Sequence, residues 1–399
     1  MMTVNCNHIE GRRFVRLLKE CSENKDLHTG ARLHSEILQR RGLFQKNPYV
    51  SSALINMYAK CGDLMEAQRV HDELCFPDIP SWNALISSYA QQNQGHQVIN
   101  CLKKLQRESL SFDEITSICA LKACGSVRDI ELGKHIHVEI LCSGLCEERN
   151  VMIGTCLVDM YAKCGKVSIA RQIHDGIQNQ DVISWSALIE GYAQQGRGHD
   201  ALECFDRMLV EDHYPNAITF ISTLKACSII RAIDKGKWIH DGVTKRGLLD
   251  QNSLLGTCLV DMYVKCGFLA EAQKLHDQLC VRDVVTWSAL ITGYTQQGQC
   301  HNALKCFELM QNDGLSPNAV TFTCILKACG NIGAIDKGKH LHDVIVSMGL
   351  LEKDIVLCTA LVDMYAKCGA LSRAQQVHDK LSTRNEASWN ALITGYAQQ

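Results

Sequence analysis

The chain is built from short amphipathic stretches with helical spacing, separated by polar breaks. In Trp185–Gln195, the apolar side chains of Leu188, Ile189 and Tyr192 lie on one face of a helix. Gly196–Gly198 interrupts the pattern, and a second amphipathic stretch follows. Its apolar side is formed by Ala201, Leu202, Phe205, Met208 and Leu209. Because no segment of useful length alternates with a period of two, the pattern predicts paired helices and no strands.

The pairs of amphipathic stretches repeat with a long period. "LVDMYAKCG" stands at Leu157–Gly165 and again at Leu361–Gly369. Two sets of aromatic residues recur at intervals of 103, 102 and 102 residues: Tyr58, Tyr161, Tyr263 and Tyr365, and Trp82, Trp185, Trp287 and Trp389. Each period holds an "LKAC", a "MYAKCG" and a "SWNALI" type of segment. One helical hairpin cannot bury its own apolar face, so we predict a stack of hairpins with a shared core.

Composition narrows the class of protein. The 399 residues are 46% hydrophobic and 21% charged, so the chain is able to bury a core, and no apolar run approaches the length of a membrane span. The first residues contain no apolar segment of signal-peptide length and are too few for a transit peptide, so we expect targeting information to be absent or outside the chain. The net charge of −2 gives no general attraction to a polyanion, and any nucleic-acid binding must depend on where the charges lie.

The 22 cysteines fall at repeated positions. Two series recur once per period: Cys61, Cys164, Cys266 and Cys368, and Cys124, Cys227 and Cys329. This recurrence predicts small, buried, reduced thiols and not a disulfide framework.

"SWNALI…YAQ", "LVDMYAKCG" and "LKAC…GK.IH" in fixed rotation resemble pentatricopeptide repeat (PPR) proteins, specifically the plant PLS subclass with three motif lengths. The resemblance implies an all-α, right-handed superhelical α-solenoid of tandem helix-turn-helix repeats. It divides the chain into an N-terminal extension, 1–10, and a repeat array, 11–399. Long motifs would be 11–47, 114–150, 217–252 and 319–354; short motifs 48–78, 151–181, 253–283 and 355–385; and P-type motifs 79–113, 182–216, 284–318 and a partial 386–399.

Small polar residues recur at two positions of the short and P-type motifs. The fifth residues are Ser52, Asn83, Thr155, Ser186, Thr257, Ser288, Thr359 and Asn390. The last residues are Asp78, Asp113, Asp181, Asn216, Asp283, Asn318 and Asn385. The resemblance implies that each pair binds one base of single-stranded RNA, because amides and carboxylates differ in donors and acceptors. Helix capping is the alternative, although it does not explain why Asp and Asn vary with the motif.

The long motifs differ at the same place. Their fifth residues are Val15, Ile118, Ile221 and Thr323, which are mostly apolar. We therefore expect the long motifs to space the array and to contribute little to base recognition.

Four lysines occupy the position at which the family places a phosphate contact: Lys60, Lys163, Lys265 and Lys367. The alternative is local, since Asp159–Lys163, Asp261–Lys265 and Asp363–Lys367 are also favourable (i, i+4) pairs. Both interpretations remain open.

Two short patterns resemble parts of zinc sites, but each lacks the remaining ligands. "HSE" at His34–Glu36 and "HVE" at His137–Glu139 resemble half of a zinc deaminase signature, but the chain contains no Cys-x-x-Cys pair to complete it. Cys164 with His174 recurs as Cys266 with His276 and Cys368 with His378, and two ligands per repeat make a poor zinc site. We predict that these residues pack, and that the chain has no cofactor and no catalytic site.

The resemblance implies sequence-specific binding of single-stranded organellar RNA in a mitochondrion or chloroplast, with no membrane partner. The family role would be target recognition in C-to-U RNA editing, with a deaminase supplied by another region or by a deaminase-bearing or editing cofactor protein in trans. One alternative is an RNA stabilisation or processing factor that acts by occupancy. The other is a tetratricopeptide-type scaffold that binds protein segments.

Overall fold

The computed structural model describes residues 2–40, 47–74, 77–108, 110–144, 150–351, 354–381 and 384–398, and for residues 2–9 and Asp250 only the backbone. Apart from a single helical turn at Leu248–Gln251, the secondary structure of these residues is 23 helices without a strand. The helices are α1 Met2–Asn24, α2 Leu27–Gln39, α3 Pro48–Lys60, α4 Leu64–Asp72, α5 Ile79–Gln91, α6 Gly95–Arg107, α7 Glu114–Val127, α8 Ile130–Cys142, α9 Val151–Lys163, α10 Val167–Gly176, α11 Val182–Gln194, α12 Gly198–Val210, α13 Ala217–Ile230, α14 Ile233–Lys245, α15 Ser253–Lys265, α16 Leu269–Gln278, α17 Val284–Gln296, α18 Cys300–Asn312, α19 Ala319–Ile332, α20 Ile335–Ser347, α21 Ile355–Lys367, α22 Leu371–Asp379 and α23 Glu386–Ala397.

The helices form successive pairs within two compact units, residues 1–195 with 203–214, and residues 196–202 with 215–399. In the first unit, α1, α3, α5, α7, α9 and α11 pack one against the next in a continuous row. In the second unit, α13, α15, α17, α19, α21 and α23 form a row of the same kind. The even-numbered helices other than α12 lie against these rows, in contact with the odd-numbered helix before or after them. The fold is the all-α solenoid that the sequence predicts.

The turn after each short-motif odd helix depends on a glycine. Gly165 has φ of 76°, which side chains other than glycine rarely adopt, and the next amide, of Lys166, donates to the carbonyl of Tyr161 at 2.8 Å. Gly62, Gly267 and Gly369 have the same left-handed conformation. The "CG" of the repeated "MYAKCG" therefore ends one helix and redirects the chain into the next.

Neighbouring motifs are joined by contacts specific to their type. Gly133 of α8 faces Met160 of α9, and a Cβ on Gly133 would lie 2.5 Å from the methionine sulfur. His137 Nδ1 lies 2.9 Å from the hydroxyl of Tyr161. Equivalent Gly–Met and His–Tyr contacts occur at each of the other long–short junctions, between Gly30 and Met57, Gly236 and Met262, Gly338 and Met364, His34 and Tyr58, His240 and Tyr263, and His342 and Tyr365.

A second kind of contact joins each short motif to the P-type motif that follows. His174 of α10 packs edge-to-face against Trp185 of α11 with ring centroids 4.2 Å apart, and both side chains are fully buried. The pairs His71–Trp82, His276–Trp287 and His378–Trp389 repeat this tilted or edge-to-face contact. Each kind of contact thus recurs between the same two kinds of predicted motif.

The N-terminal helix contains the predicted start of the repeat array. α1 begins at Met2, so the predicted boundary between extension and array at Gly11 lies inside a helix. Gly11 marks a close approach to Asn47, where a Cβ would lie 2.3 Å from the amide nitrogen. A small residue at this place reflects packing and not a helix start.

The cysteines of the described residues are free thiols, and Cys124, Cys227 and Cys329 are completely buried. Burial raises the pKa of Cys124 to about 12, which keeps the thiol protonated. In the part of the chain described, none of the helices combines the length and the apolar character needed to cross a bilayer.

Candidate nucleic-acid interface

The residue before each odd-numbered helix from α3 onward is an Asp or Asn that caps the helix. The Oδ1 of Asp113 accepts the backbone N–H of Thr116 at 2.8 Å, and the Oδ1 of Asn318 accepts that of Thr321 at 2.9 Å. The seven predicted last residues all cap in this way: Asp78, Asp113, Asp181, Asn216, Asp283, Asn318 and Asn385. The capping interpretation is therefore correct for these residues, and each such cap stabilises its helix by about 1 kcal/mol.

Capping orients the atom that distinguishes Asp from Asn. The backbone N–H requires an oxygen at Oδ1, so the second terminal atom is Oδ2 in Asp181 and Nδ2 in Asn385. The first is an acceptor and the second is a donor. The cap thus determines which terminal atom of each side chain distinguishes Asp from Asn.

Several fifth residues lie directly against the last residue of the same motif. Asn83 Nδ2 donates to Asp113 Oδ2 at 2.6 Å, and the hydroxyl of Thr155 donates to Asp181 Oδ1 at 3.3 Å. The equivalent bond from Thr359 to Asn385 is 3.4 Å long. Ser288 is linked to Asn318 through Thr321. Its hydroxyl lies 2.7 Å from the hydroxyl of Thr321, which in turn donates a hydrogen bond to Asn318. Four of the predicted pairs are therefore brought together between neighbouring odd-numbered helices, one of them through Thr321.

The other fifth residues differ from one another in their contacts. The hydroxyls of Ser186 and Thr257 donate to the carbonyls of Val182 and Ser253, four residues earlier. The Ser52 hydroxyl is buried and has no hydrogen-bond partner within the described residues, and Asn390 is exposed on the last helix. Asn83, Thr155, Ser186, Thr257 and Ser288 are at most 9% exposed. The last residues are half-buried or exposed, so they offer the more accessible polar atoms of each pair.

An exposed apolar residue occupies the second position of nearly every odd-numbered helix, a feature that the sequence reasoning missed. These residues are between 53% and 71% exposed: Tyr49, Ile115, Met152, Ile183, Ile218, Leu254, Val285, Val320 and Val356. The second and fifth residues are three apart and share a helix face. We call this set the apolar row. Its sequence signal is an apolar residue on an otherwise polar face directly after each cap, and such a row is typical of a contact surface.

The four predicted phosphate-contact lysines differ in their pairing. Lys163 Nζ lies 2.7 Å from Asp159, and Lys265 and Lys367 form the same (i, i+4) ion pair with Asp261 and Asp363. Lys60 has Asn56 in place of the acid and forms no ion pair within the described residues. The local alternative is thus realised in three motifs, and the ammonium groups remain accessible there.

The residues that suggested zinc chemistry have structural roles. His34 and His137 contact Tyr58 and Tyr161, and Glu36 and Glu139 pair with Arg40 and His135 of their own helices. His174 and Cys164 have separate partners: His174 packs edge-to-face against Trp185, and the thiol of Cys164 lies 3.9 Å from the sulfur of Met160. Among the described residues, no three His, Cys, Asp or Glu side chains are grouped so that they could hold a metal ion.

Family models match most of the array. A model of the PPR repeat family matches residues 180–228 and 282–331, and a model of the PPR repeat matches residues 49–75, 80–110, 257–284 and 356–385. A chloroplastic pentatricopeptide repeat-containing protein of Arabidopsis thaliana is 34% identical over 96% of the chain and 47% of its own length. A mitochondrial one from the same plant is 30% identical over 97% of the chain and 55% of its own length. The chain spans about half the length of these relatives.

Solved structures agree on the fold. The pentatricopeptide repeat protein PPR10 in complex with an 18-nt psaJ RNA element superposes with a TM-score of 0.73 at 16% identity, over 96% of this chain and 59% of that one. PPR10 from maize gives a TM-score of 0.62 at 15% identity, over 96% of this chain and 61% of that one. With its repeated motifs, its rows of paired helices and these matches, the chain belongs to the pentatricopeptide repeat family.

Proposed function

We propose that the chain binds single-stranded RNA with sequence specificity, through the face of the odd-numbered helices that carries the fifth and last motif residues. The observation that carries this proposal is the geometry of the caps. Each capping Asp or Asn accepts the N–H of its own helix at Oδ1, so the other terminal atom is the one in which the two residues differ, and in the Asn83–Asp113 pair this atom lies 2.6 Å from the fifth residue. A single pair of this kind is suited to one base edge.

The surroundings of these pairs also suit a nucleic-acid strand. The apolar row provides flat, solvent-exposed apolar contacts one turn from each fifth residue, where the faces of bases could pack. The lysines of the short motifs stand two turns beyond the fifth residues of the same helices, on the same face. In the related protein PPR10, the bound partner is an 18-nt RNA element.

The finer role is target recognition in a PLS-type factor for C-to-U editing of mitochondrial or chloroplast RNA. It is supported by the rotation of three motif types and by relatives named as chloroplastic or mitochondrial. The chain spans about half of those relatives, and the deaminase would come from another region or from a partner protein. The alternative role in RNA stabilisation or processing uses the same interface without a deaminase.

These roles are separated by loss of the full-length protein in its host. An editing factor leaves one cytidine unconverted near its binding site in organellar RNA, whereas an occupancy factor alters transcript ends or abundance. Sequencing of organellar RNA from wild-type and mutant lines distinguishes the two results. Unchanged RNA, together with a protein ligand that binds to the odd-numbered row, would favour the scaffold alternative.

The binding site itself has a predicted sequence. In family terms, Ser or Thr with Asp selects G, Ser or Thr with Asn selects A, and Asn with Asp selects U. The seven pairs then specify GU-n-GA-n-GA-n-A, where n is one loosely bound base at each intervening long motif. We expect this RNA to bind the chain well over tenfold more tightly than a scramble of the same composition, at about 150 mM salt, where the sequence-independent phosphate contribution is reduced. Equal binding of the two RNAs would refute base recognition.

A further inference from the structure

Each long motif carries one exposed lysine on its odd-numbered helix, and base recognition gives these lysines no role. They are Lys19, Lys122, Lys225 and Lys327. Each follows the fifth residue of its motif by four positions and therefore lies one turn further along the same helix face. The fifth residues of the long motifs are mostly apolar. On this helix face the long motifs therefore carry a positive charge, whereas the other motifs carry the proposed base-recognition residues.

The next short-motif helix brings a second lysine to the same place. A Cβ on Gly125, three residues after Lys122, would lie 3.3 Å from Cδ of Lys163. A Cβ on Gly330, three residues after Lys327, would lie 3.4 Å from Cδ of Lys367. The stem of the short-motif lysine thus crosses the long-motif helix beside the long-motif lysine.

The same small-residue position is kept at the other two junctions. Ser22 follows Lys19 and Ser228 follows Lys225 by three residues, and both serines are buried. Their hydroxyls donate back to their own helices, to the carbonyls of Lys19 and Leu224. A larger side chain at this position would obstruct the neighbouring helix.

The electrostatics of a half-buried thiol agree with this placement. Burial raises the pKa of Cys258 on α15, and the positive charges of both Lys225 and Lys265 oppose that rise. Both ammonium groups therefore lie near the same side chain, although one lysine belongs to the long motif and the other to the short motif.

Ion pairing leaves an excess of positive charge at each long–short junction. Lys163, Lys265 and Lys367 are matched by the aspartates one turn earlier, whereas Lys122, Lys225 and Lys327 form no ion pair within the described residues. At the first junction, Asn56 replaces the aspartate, and no ion pair of Lys19 or Lys60 occurs among the described residues. Positive charge is concentrated at these places in a chain whose net charge is −2.

We propose that each long–short junction is a site for the phosphate backbone of single-stranded RNA, formed by two lysines from consecutive motifs. The sites are Lys19 with Lys60, Lys122 with Lys163, Lys225 with Lys265, and Lys327 with Lys367. This inference rests on the proposed RNA binding. It gives the long motifs an electrostatic function: they hold the strand at every third motif, and the short and P-type motifs select the bases.

The test compares two triple variants of the whole chain. The junction variant carries Lys122→Gln, Lys225→Gln and Lys327→Gln. The control variant carries Lys103→Gln, Lys274→Gln and Lys305→Gln, which remove equal charge from exposed positions on even-numbered helices. Fluorescence anisotropy measures the Kd for GU-n-GA-n-GA-n-A and for its scramble over a series of salt concentrations, and circular dichroism checks that each variant is helical.

We expect the junction variant to bind both RNAs more weakly. Its plot of log K against log salt should be less steep by about 2, because each of the three lost phosphate contacts contributes ~0.7 to the steepness on a single strand. The ratio of matched to scrambled affinity should not change, and the control variant should keep the wild-type slope. A further variant removes the acidic partners of the short-motif lysines and should make this plot steeper. It carries Asp159→Asn, Asp261→Asn and Asp363→Asn.

The two proposals fail in different ways. If the wild-type chain binds no RNA, the proposed function and the phosphate sites both fall. If it binds and distinguishes the two RNAs, but the junction and control variants have equal slopes, only the phosphate sites are refuted. A junction variant that loses the matched-to-scrambled ratio would also refute them, because the lysines would then select bases.

Discussion

Asn83 and Asp113 are 30 positions apart in the chain and are joined by a hydrogen bond of 2.6 Å, from Nδ2 of the amide to Oδ2 of the carboxylate. The Oδ1 of the same carboxylate caps α7. A residue in one helix and the cap of the next odd-numbered helix therefore form one unit. This unit is the template for the first prediction.

Thr155→Asn should recreate the Asn83–Asp113 arrangement, because Thr155 already bonds to the capping Asp181. We expect the preferred base at one RNA position to change from G to U, with a discrimination of roughly tenfold or more. Anisotropy titrations with four RNAs that differ only at that position provide the measurement. Ile118→Asn, in a long motif, is the matched control and should leave the base preference unaltered; an equal change in both variants would show that long motifs select bases as well.

Asp181 caps its helix and, in the proposed function, also selects a base, and two substitutions separate these roles. Asp181→Asn keeps an oxygen for the Ser184 amide, so stability should change little while the preferred base moves from G towards A. Asp181→Ala removes the cap and should cost about 1 kcal/mol, seen as a lower Tm. If Asp181→Asn binds the same base as wild type, the residue is a cap alone.

The His–Trp contacts should make stability fall in mild acid. Burial lowers the pKa of His174 to about 4, well below the ordinary value near 6.5 for an unfolded chain. As the pH falls from about 6.5 towards 4, the unfolded state takes up a proton that the folded state excludes, so stability is lost over this range and is fully present above it. His174 alone accounts for on the order of 3 kcal/mol between those limits.

The check is the Tm of wild type and of His174→Gln between pH 7.5 and 5, chosen as working conditions. The variant should be less stable at pH 7.5 but should lose less Tm on acidification. His199→Gln, at an exposed position, is the control and should follow the wild-type curve. Parallel curves for all three proteins would contradict a buried neutral His174.

Gly133→Ala should destabilise the long–short junction. The new Cβ would lie 2.5 Å from the sulfur of Met160 and 2.9 Å from its methyl carbon, so the methionine must move from a packed position, at a cost of about 1–3 kcal/mol. Gly242→Ala is the matched control, since a Cβ there meets no atom within 4 Å. That change should stabilise by up to about 1 kcal/mol through helix propensity. Chemical denaturation of the two variants gives the comparison.

The purified chain should not deaminate cytidine in RNA, even with zinc added. The histidines that resemble half of a deaminase signature contact tyrosines, and their glutamates pair within their own helices. Sequencing of matched RNA after incubation with the chain and zinc, without other proteins, measures conversion. Conversion above that of a zinc-free control would overturn this expectation.

Much of the architecture follows from local sequence. The helix pairs, their breaks at "CG" and the Asp or Asn before each odd-numbered helix are short-range features, determined by apolar spacing, left-handed glycine and capping within about four residues. The repeat of these signals gave Asn83 and Asp113 as the fifth and last residues of one motif. The close approach of Gly11 to Asn47 is not visible as a local pattern.

What the sequence alone left open were the contacts between residues 20 to 40 positions apart. His137 meets Tyr161, Gly125 meets Lys163, and the hydroxyl of Thr155 lies almost buried against Asp181 only when consecutive helices are packed. Periodicity assigns a residue to a face of its own helix, but the neighbouring helix decides whether that face is covered. For this reason the sequence determined which small polar residues recur as the fifth and last residues of each motif, whereas the tertiary structure decided the exposure of the apolar row and the approach of Lys163 and Lys367 to the neighbouring long-motif helices.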